Sequence, residues 1–166
     1  CNGAGGGTYG RIIDKGQWTL YTHNESNEQV QLTFKLNTDA GGANDSITRT
    51  NGRLLDMGKW NHIVVTYNSS DSAVGTKAKI YINGEAVDTV HAQTGAPSRD
   101  DDDAQDLTIG NQQDGTRTFH GSITEVSLWT NTLTQAEINE MYNDGKALDA
   151  TTHSSYVSAS TNLKGY

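Results

Sequence analysis

Four consecutive aspartates, Asp100 to Asp103, make the densest run of ligating oxygens in the chain. Calcium takes six to eight oxygens from carboxylates, amides and carbonyls, but like charges in a row converge on one ion only with glycine-assisted turns. The run therefore reads as a solvated acidic loop. His23, His62, His91, His120 and His153 lack metal-ligand spacing, and no serine stands in a Gly-x-Ser-x-Gly elbow. Glycoside hydrolysis needs two facing carboxylates. The strand pattern Gly121 to Trp129 offers Glu125 alone, with Ile123 and Ser127 on the same face. The residues thus point away from an enzyme. Sugar binding asks instead for an aromatic platform beside groups that pair with hydroxyls. Trp18, Trp60 and Trp129 fall within strand or strand-entry patterns and read as core. Tyr21, Tyr81 and Phe119 are the better candidates for partly exposed rings, with His23, Asn111 and Arg117 able to supply hydrogen bonds near the same rim.

Composition bounds the partners. A chain of 166 residues with 33% hydrophobic residues fills one core of moderate size. Eighteen glycines against a single proline, Pro97, indicate many tight turns between strands. A net charge of −8 repels phosphate backbones and anionic lipid, which argues against nucleic acid and membrane partners. No apolar run reaches the roughly 18 residues of a spanning helix. Cys1 is the only cysteine, so an intrachain disulfide is excluded. A start at Cys1 instead of Met reads as a processed or excised piece of something longer. Sequons at Asn24, Asn44 and Asn68 would permit glycosylation in a eukaryotic secretory route.

The elements that must position these residues are mostly strands. Ile63, Val64, Val65 and Tyr67 form a branched and aromatic run that reads as a well-buried strand. Ala78, Ile80 and Ile82 alternate with Lys79, Tyr81 and Asn83, and Asn83-Gly84 fits a type I′ turn, which returns the chain through Glu85 to His91. Tyr9 to Asp14 and Gln17 to His23 read as two strands. Val30, Leu32, Phe34 and Leu36 give the cleanest alternation in the chain. Ser46 to Thr50 and Arg53 to Met57 flank Asn51-Gly52 as a second hairpin, and Leu107 to Gly110 and Gly121 to Leu133 complete the strands, the last with a bulge or burial on both faces. Thr134-Gln135-Ala136-Glu137 is a capping box that opens one helix, with Ile138, Met141 and Tyr142 as its apolar stripe and Gly145 as its stop. The fold class is all-β, a two-sheet antiparallel sandwich with one short C-terminal helix laid against it. Residues 1–8 form a glycine-rich lead-in that reads as a flexible loop, 9–146 the domain, and 147–166 a Ser/Thr-rich linker.

The ordered motifs Trp60 to Tyr67, Ile80-Tyr81-Ile82-Asn83-Gly84, Leu107-Thr108-Ile109-Gly110, Phe119-His120-Gly121-Ser122-Ile123 and Leu128-Trp129 to Tyr142 resemble the laminin-G-like, concanavalin-A-like jelly roll. The closing stretch is also similar to the pentraxins. The resemblance covers about Tyr9 to Tyr142. It implies a jelly-roll sandwich that binds glycan or protein. Such domains usually open with a strand pair ahead of the segment matching Tyr9 to His23, so the resemblance implies a missing strand or two and an open sheet edge that another chain or segment could occupy. Asn162 to Tyr166 resembles the opening of a further unit.

In pentraxins the loop corresponding to Asn111-Gln112-Gln113-Asp114 supplies oxygens to calcium. Asp114 matches a ligand position, Gln112 stands where a glutamate is usual, and Asn27 falls near a second ligand segment in which Ser26 replaces an aspartate. The later ligand segment is shortened between Arg117 and His120. The resemblance thus leaves two readings, a weakened calcium site with Asn27, Gln112, Gln113 and Asp114 as ligands, or a polar turn. The expected function is a non-catalytic binding module of an extracellular or virion-surface protein, serving adhesion. The alternative is a structural module packed against neighbouring copies in an assembly.

Overall fold

The computed structural model describes residues 1–37, 45–71, 78–93, 102–146 and 162–165. Within these described residues twelve strands and one α-helix follow in chain order: β1 (Tyr9–Asp14), β2 (Trp18–Ser26), β3 (Gln29–Leu36), β4 (Ser46–Thr50), β5 (Leu55–Asp56), β6 (Ile63–Tyr67), β7 (Ala78–Ile82), β8 (Glu85–Ala86), β9 (Thr89–Gln93), β10 (Thr108–Ile109), β11 (Leu128–Trp129), α1 (Gln135–Tyr142) and β12 (Leu163–Gly165). A large antiparallel sheet runs β10-β1-β2-β3-β4-β9, with β5 added to β3; a smaller sheet runs β6-β7-β8, and β11 pairs with β12.

Period-2 alternation builds the core. Val30, Leu32, Phe34 and Leu36 of β3 turn inward with Ile13, Leu20 and Leu55, and meet Ala78, Ile80 and Ile82 of β7. Burying each large aliphatic side chain contributes about 1.5–3 kcal/mol, and this clasp of β3 on β7 joins the two sheets into a sandwich. The opposite face of β7 is closed by α1, where Tyr81, Leu133 and the fully buried Ile138 form a second cluster. The expected capping box is formed: Thr134 Oγ1 accepts from Glu137 N at 3.3 Å and Glu137 Oε2 accepts from Thr134 N at 2.6 Å.

Several expectations are corrected. Asn51-Gly52 does not close a hairpin; β4 pairs with β3 and β9, while Leu55 and Asp56 pair with Val30 and Gln29 of β3. A type I′ turn needs positive φ at both central residues, and here Gly52 has it (+103°) but Asn51 does not. Asn83-Gly84, at +51° and +83°, meets the requirement. The return strand after it splits, with Glu85–Ala86 remaining on β7 and Thr89–Gln93 crossing to β4 in the large sheet. β6 is half-buried except at Thr66, because it pairs with β7 on one side only among the described residues. Gly121 to Leu133 keeps strand pairing only at Leu128–Trp129, since Glu125 adopts φ +53° and breaks the extended run. The helix stops at Asn143, which takes the left-handed conformation (φ 45°, ψ 43°) two residues before Gly145.

The glycine-rich lead-in is packed into the sheet. Asn2 N donates to His120 O at 2.7 Å, Gly6 N to Thr118 O at 2.8 Å, and Ala4 is buried. A Cβ on Gly5 would lie 2.5 Å from Gly10 Cα, so the backbone approach requires glycine there. In the acidic run, Asp102 is buried and accepts from Trp18 Nε1 at 3.0 Å, which anchors that loop to β2; Asp100 and Asp101 lie outside the described residues. Leu163–Gly165, the segment resembling the start of another unit, pairs with β11 of this same unit.

Candidate functional site

The polar positions of the large sheet face away from the core and fall into registered rows. Arg11 of β1, Tyr21 of β2, Thr33 of β3, Arg49 of β4 and Val90 of β9 are successive Cα partners across five strands. One step along, Asp14, Thr19, Lys35 and Ile47 form a second row, and Tyr9, His23 and Gln31 a third on the other side. The parity of β1 depends on an irregularity between Arg11 and Ile13, which lets Arg11 and Asp14 share the outer face while Ile13 stays in the core.

Cations and rings interleave there. Arg11 Cζ lies 4.6 Å from the Tyr21 ring centroid and Arg117 Cζ lies 5.0 Å from that of Tyr9. Tyr9 stacks on His23 at 5.9 Å and 16°, and meets Tyr21 edge-on at 5.9 Å. His23 Nε2 and Thr33 Oγ1 share a hydrogen bond of 2.8 Å. Burial, and then the Arg49 guanidinium, push the His23 imidazole down from its ordinary 6.5 to about 4, so the ring is neutral near neutral pH. Burial raises the Tyr21 phenol above its usual value against the pull of Arg49 and Arg11.

Beside this face a hollow of about 260 Å³ is lined by residues that include Arg11, Asp14, Thr19, Lys35, Asn37 and Gln112. Its charges are locally balanced. Asp14 Oδ2 is 3.1 Å from Arg11 Nε, and Lys35 Nζ is 2.7 Å from Asp45 Oδ2. Gln112 Oε1 is buried with no hydrogen-bond donor among the described residues. The hollow therefore presents donors and acceptors of both signs, the chemistry that polyhydroxylated molecules satisfy.

The sequence candidates divide. Tyr21, His23 and Arg117 come together on this face, and Gln112, Gln113 and Asp114 line the hollow. Asn111 is occupied in shaping its own loop: Oδ1 accepts from Gln112 N and Arg117 N at 2.8 and 3.1 Å, and Nδ2 donates to Gly115 O and Thr118 Oγ1. Phe119 is half-buried, with its ring filling the space that a side chain on Gly121 would need. Tyr81 is not an exposed ring; it is 7% exposed beneath α1 on the other sheet. Trp60, expected in the core, is 71% exposed, because it precedes β6 in a segment without strand pairing. Arg11, Arg49, Tyr9 and Thr33 were not picked out by sequence reasoning. Their signal, a polar position on each strand, becomes a site only once the register is known.

The four residues that the pentraxin resemblance offered to calcium do not make one ligand set. Asn27 lies in the β2–β3 turn, roughly 25 Å along β2 from Thr19 and the hollow. Asp114 Oδ1 is taken up by Thr116 N and Thr116 Oγ1 at 2.9 and 2.6 Å, which hold its carboxyl below the usual range. Arg11 and Lys35 put positive charge on the same hollow, and no cluster of three or more His, Cys, Asp or Glu suited to a metal occurs among the described residues. A hard dication needs convergent, unspent carboxylates, and these residues do not supply them.

No curated protein matches the sequence. Residues 3–139 match the laminin G family described as the concanavalin A-like lectin/glucanases superfamily, over the span that holds both sheets, the capping box and the outward-facing row. The chain belongs to this laminin G-like, concanavalin A-like family.

Proposed function

We propose that this domain recognises a glycan in the hollow beside β1, β2 and β3, as an adhesion module of an extracellular or virion-surface protein. Domains of this family are generally non-catalytic modules that bind carbohydrate or protein. The observation that carries the glycan reading is Gln112 Oε1, a buried acceptor without a donor among the described residues, at a hollow whose other groups are a threonine, amides and balanced charges. An unpaired buried acceptor costs about 1–3 kcal/mol, and a sugar hydroxyl donating to it would recover that. The roughly 260 Å³ is of the order of one pyranose ring.

Against hydrolysis, both carboxylates that line the hollow are engaged: Asp14 pairs with Arg11 and accepts from Gly16 N at 2.8 Å, and Asp114 Oδ1 accepts from Thr116 N and Thr116 Oγ1 at 2.9 and 2.6 Å. A glycan array probed with the 166-residue chain tests the reading, followed by calorimetry on Gln112→Leu. Binding that weakens about tenfold in Gln112→Leu supports it; an array without binders refutes it. A second reading, packing against further copies, is favoured by β6, which pairs on one side only among the described residues, beside the exposed Trp60. Concentration-dependent mass in light scattering, lost in Trp60→Ser, would favour that reading.

A further inference from the structure

Arg49 has no counter-charge among the described residues. Arg11, Lys35 and Lys59 each lie within 3.1 Å of an aspartate carboxylate. Arg49, half-buried on β4, makes no hydrogen bond or ion pair among the described residues, and its Nε is buried without an acceptor. Its cross-strand partners, Thr33 and Val90, carry no charge. Leaving a guanidinium partly desolvated without an anion is costly, and no described carboxylate serves this position.

The surroundings are rich in donors. The Thr33 hydroxyl, the Tyr21 phenol and the neutral His23 stand on the same face, and Arg11 closes the far end of the row over the Tyr21 ring. The hollow begins at the next outward-facing row, two residues or about 7 Å along the strands, where Lys35 follows Thr33 on β3.

We propose that Arg49 binds one anionic group, a carboxylate or a sulfate ester, carried by an acidic glycan whose ring occupies the neighbouring hollow. This rests on the glycan reading above and names the class of glycan. The planar guanidinium grips such oxyanions in a two-pronged, charge-assisted contact.

The test uses the 166-residue chain with three probes: methyl glucuronoside, methyl glucoside and inorganic sulfate. Calorimetry gives affinities, and the Arg Nε–H resonances in NMR show which guanidinium responds. The expected result is that glucuronoside binds about tenfold tighter than glucoside. Arg49→Met should abolish that preference without weakening glucoside binding, Arg49→Lys should keep part of it, and sulfate should shift the Arg49 Nε–H signal. Arg49→Met removes an uncompensated charge, so it should melt no lower than the parent; if it does not fold, the sulfate titration of the parent decides.

Equal affinity for the two glycosides, unchanged by Arg49→Met, overturns the inference and leaves glycan recognition standing. A sulfate response with neither glycoside bound keeps the anion site and overturns the glycan as its source. Tighter binding of a polyglutamate peptide than of glucuronoside also overturns that source. No response of Arg49 to any probe overturns the site itself.

Discussion

His23 makes the outward face a pH-sensitive part of the fold. Its imidazole sits at about 4 in the folded chain against an ordinary 6.5, through burial first and the Arg49 guanidinium second. At pH 7 the ring is neutral in folded and unfolded chains alike, and its titration contributes nothing to stability. Below 6.5 the unfolded chain takes up a proton that the folded chain refuses, so stability falls as pH falls and the loss is complete near pH 4. At pH 5, 1.5 units into that window, the ceiling is about 2 kcal/mol, and the ring's partial exposure screens it to about 1 kcal/mol. Urea unfolding of the parent and of His23→Gln at pH 7 and pH 5 measures it. Glutamine can still pair with Thr33 but cannot titrate. The parent should lose about 1 kcal/mol more than the variant between the two conditions. His62, also pushed down by burial, shifts stability in the same direction in both proteins and cancels in the comparison. Equal losses, or an NMR titration placing His23 at 6 or above, would refute the argument.

Other expectations are simpler to check. Thr134→Ala removes the capping-box acceptor of α1 and should destabilise the domain by about 1 kcal/mol in chemical denaturation. Leu32→Ala empties a fully buried position where β3 meets β7 and should cost about 3 kcal/mol, with a visibly lower melting temperature. Adding millimolar calcium or a chelator should leave the melting temperature where it is, since an ion bound only by the folded state would raise it by mass action. A clear rise with calcium would restore the loop at Asp114 as an ion site.

The fold was legible wherever a signal was local. Val30 to Leu36 announced a half-buried strand through strict alternation, Asn83-Gly84 a tight turn through its tolerance of positive φ, and Thr134 to Glu137 a helix start through two reciprocal hydrogen bonds. It was illegible wherever the outcome depended on partners distant in sequence. Asn51-Gly52 has the same composition as Asn83-Gly84, yet β9 arrives from some forty residues on to take the side of β4 where a hairpin partner would sit. Trp60 and Tyr81 exchanged expected roles for a similar reason: α1 covers Tyr81, and no strand pairing draws Trp60 inward.

The candidate site shows the same limit in sharper form. Tyr21, His23 and Arg117 could be chosen as residue types, but the face that gives them meaning joins Arg11 and Arg49, 38 positions apart, through two intervening strands. A shift of one residue in any pairing would send half the row into the core. Whole-chain charge pointed away from anions, since −8 repels them at long range. At contact distance, however, a ligand responds to the few groups it touches, because salt screens surface charges beyond roughly 8–10 Å. An acidic domain can therefore hold one cationic row on which an anion is favoured. Its association should be slow at low salt, where the distant carboxylates repel most strongly, and should quicken as salt screens them, the reverse of a basic protein meeting the same ligand.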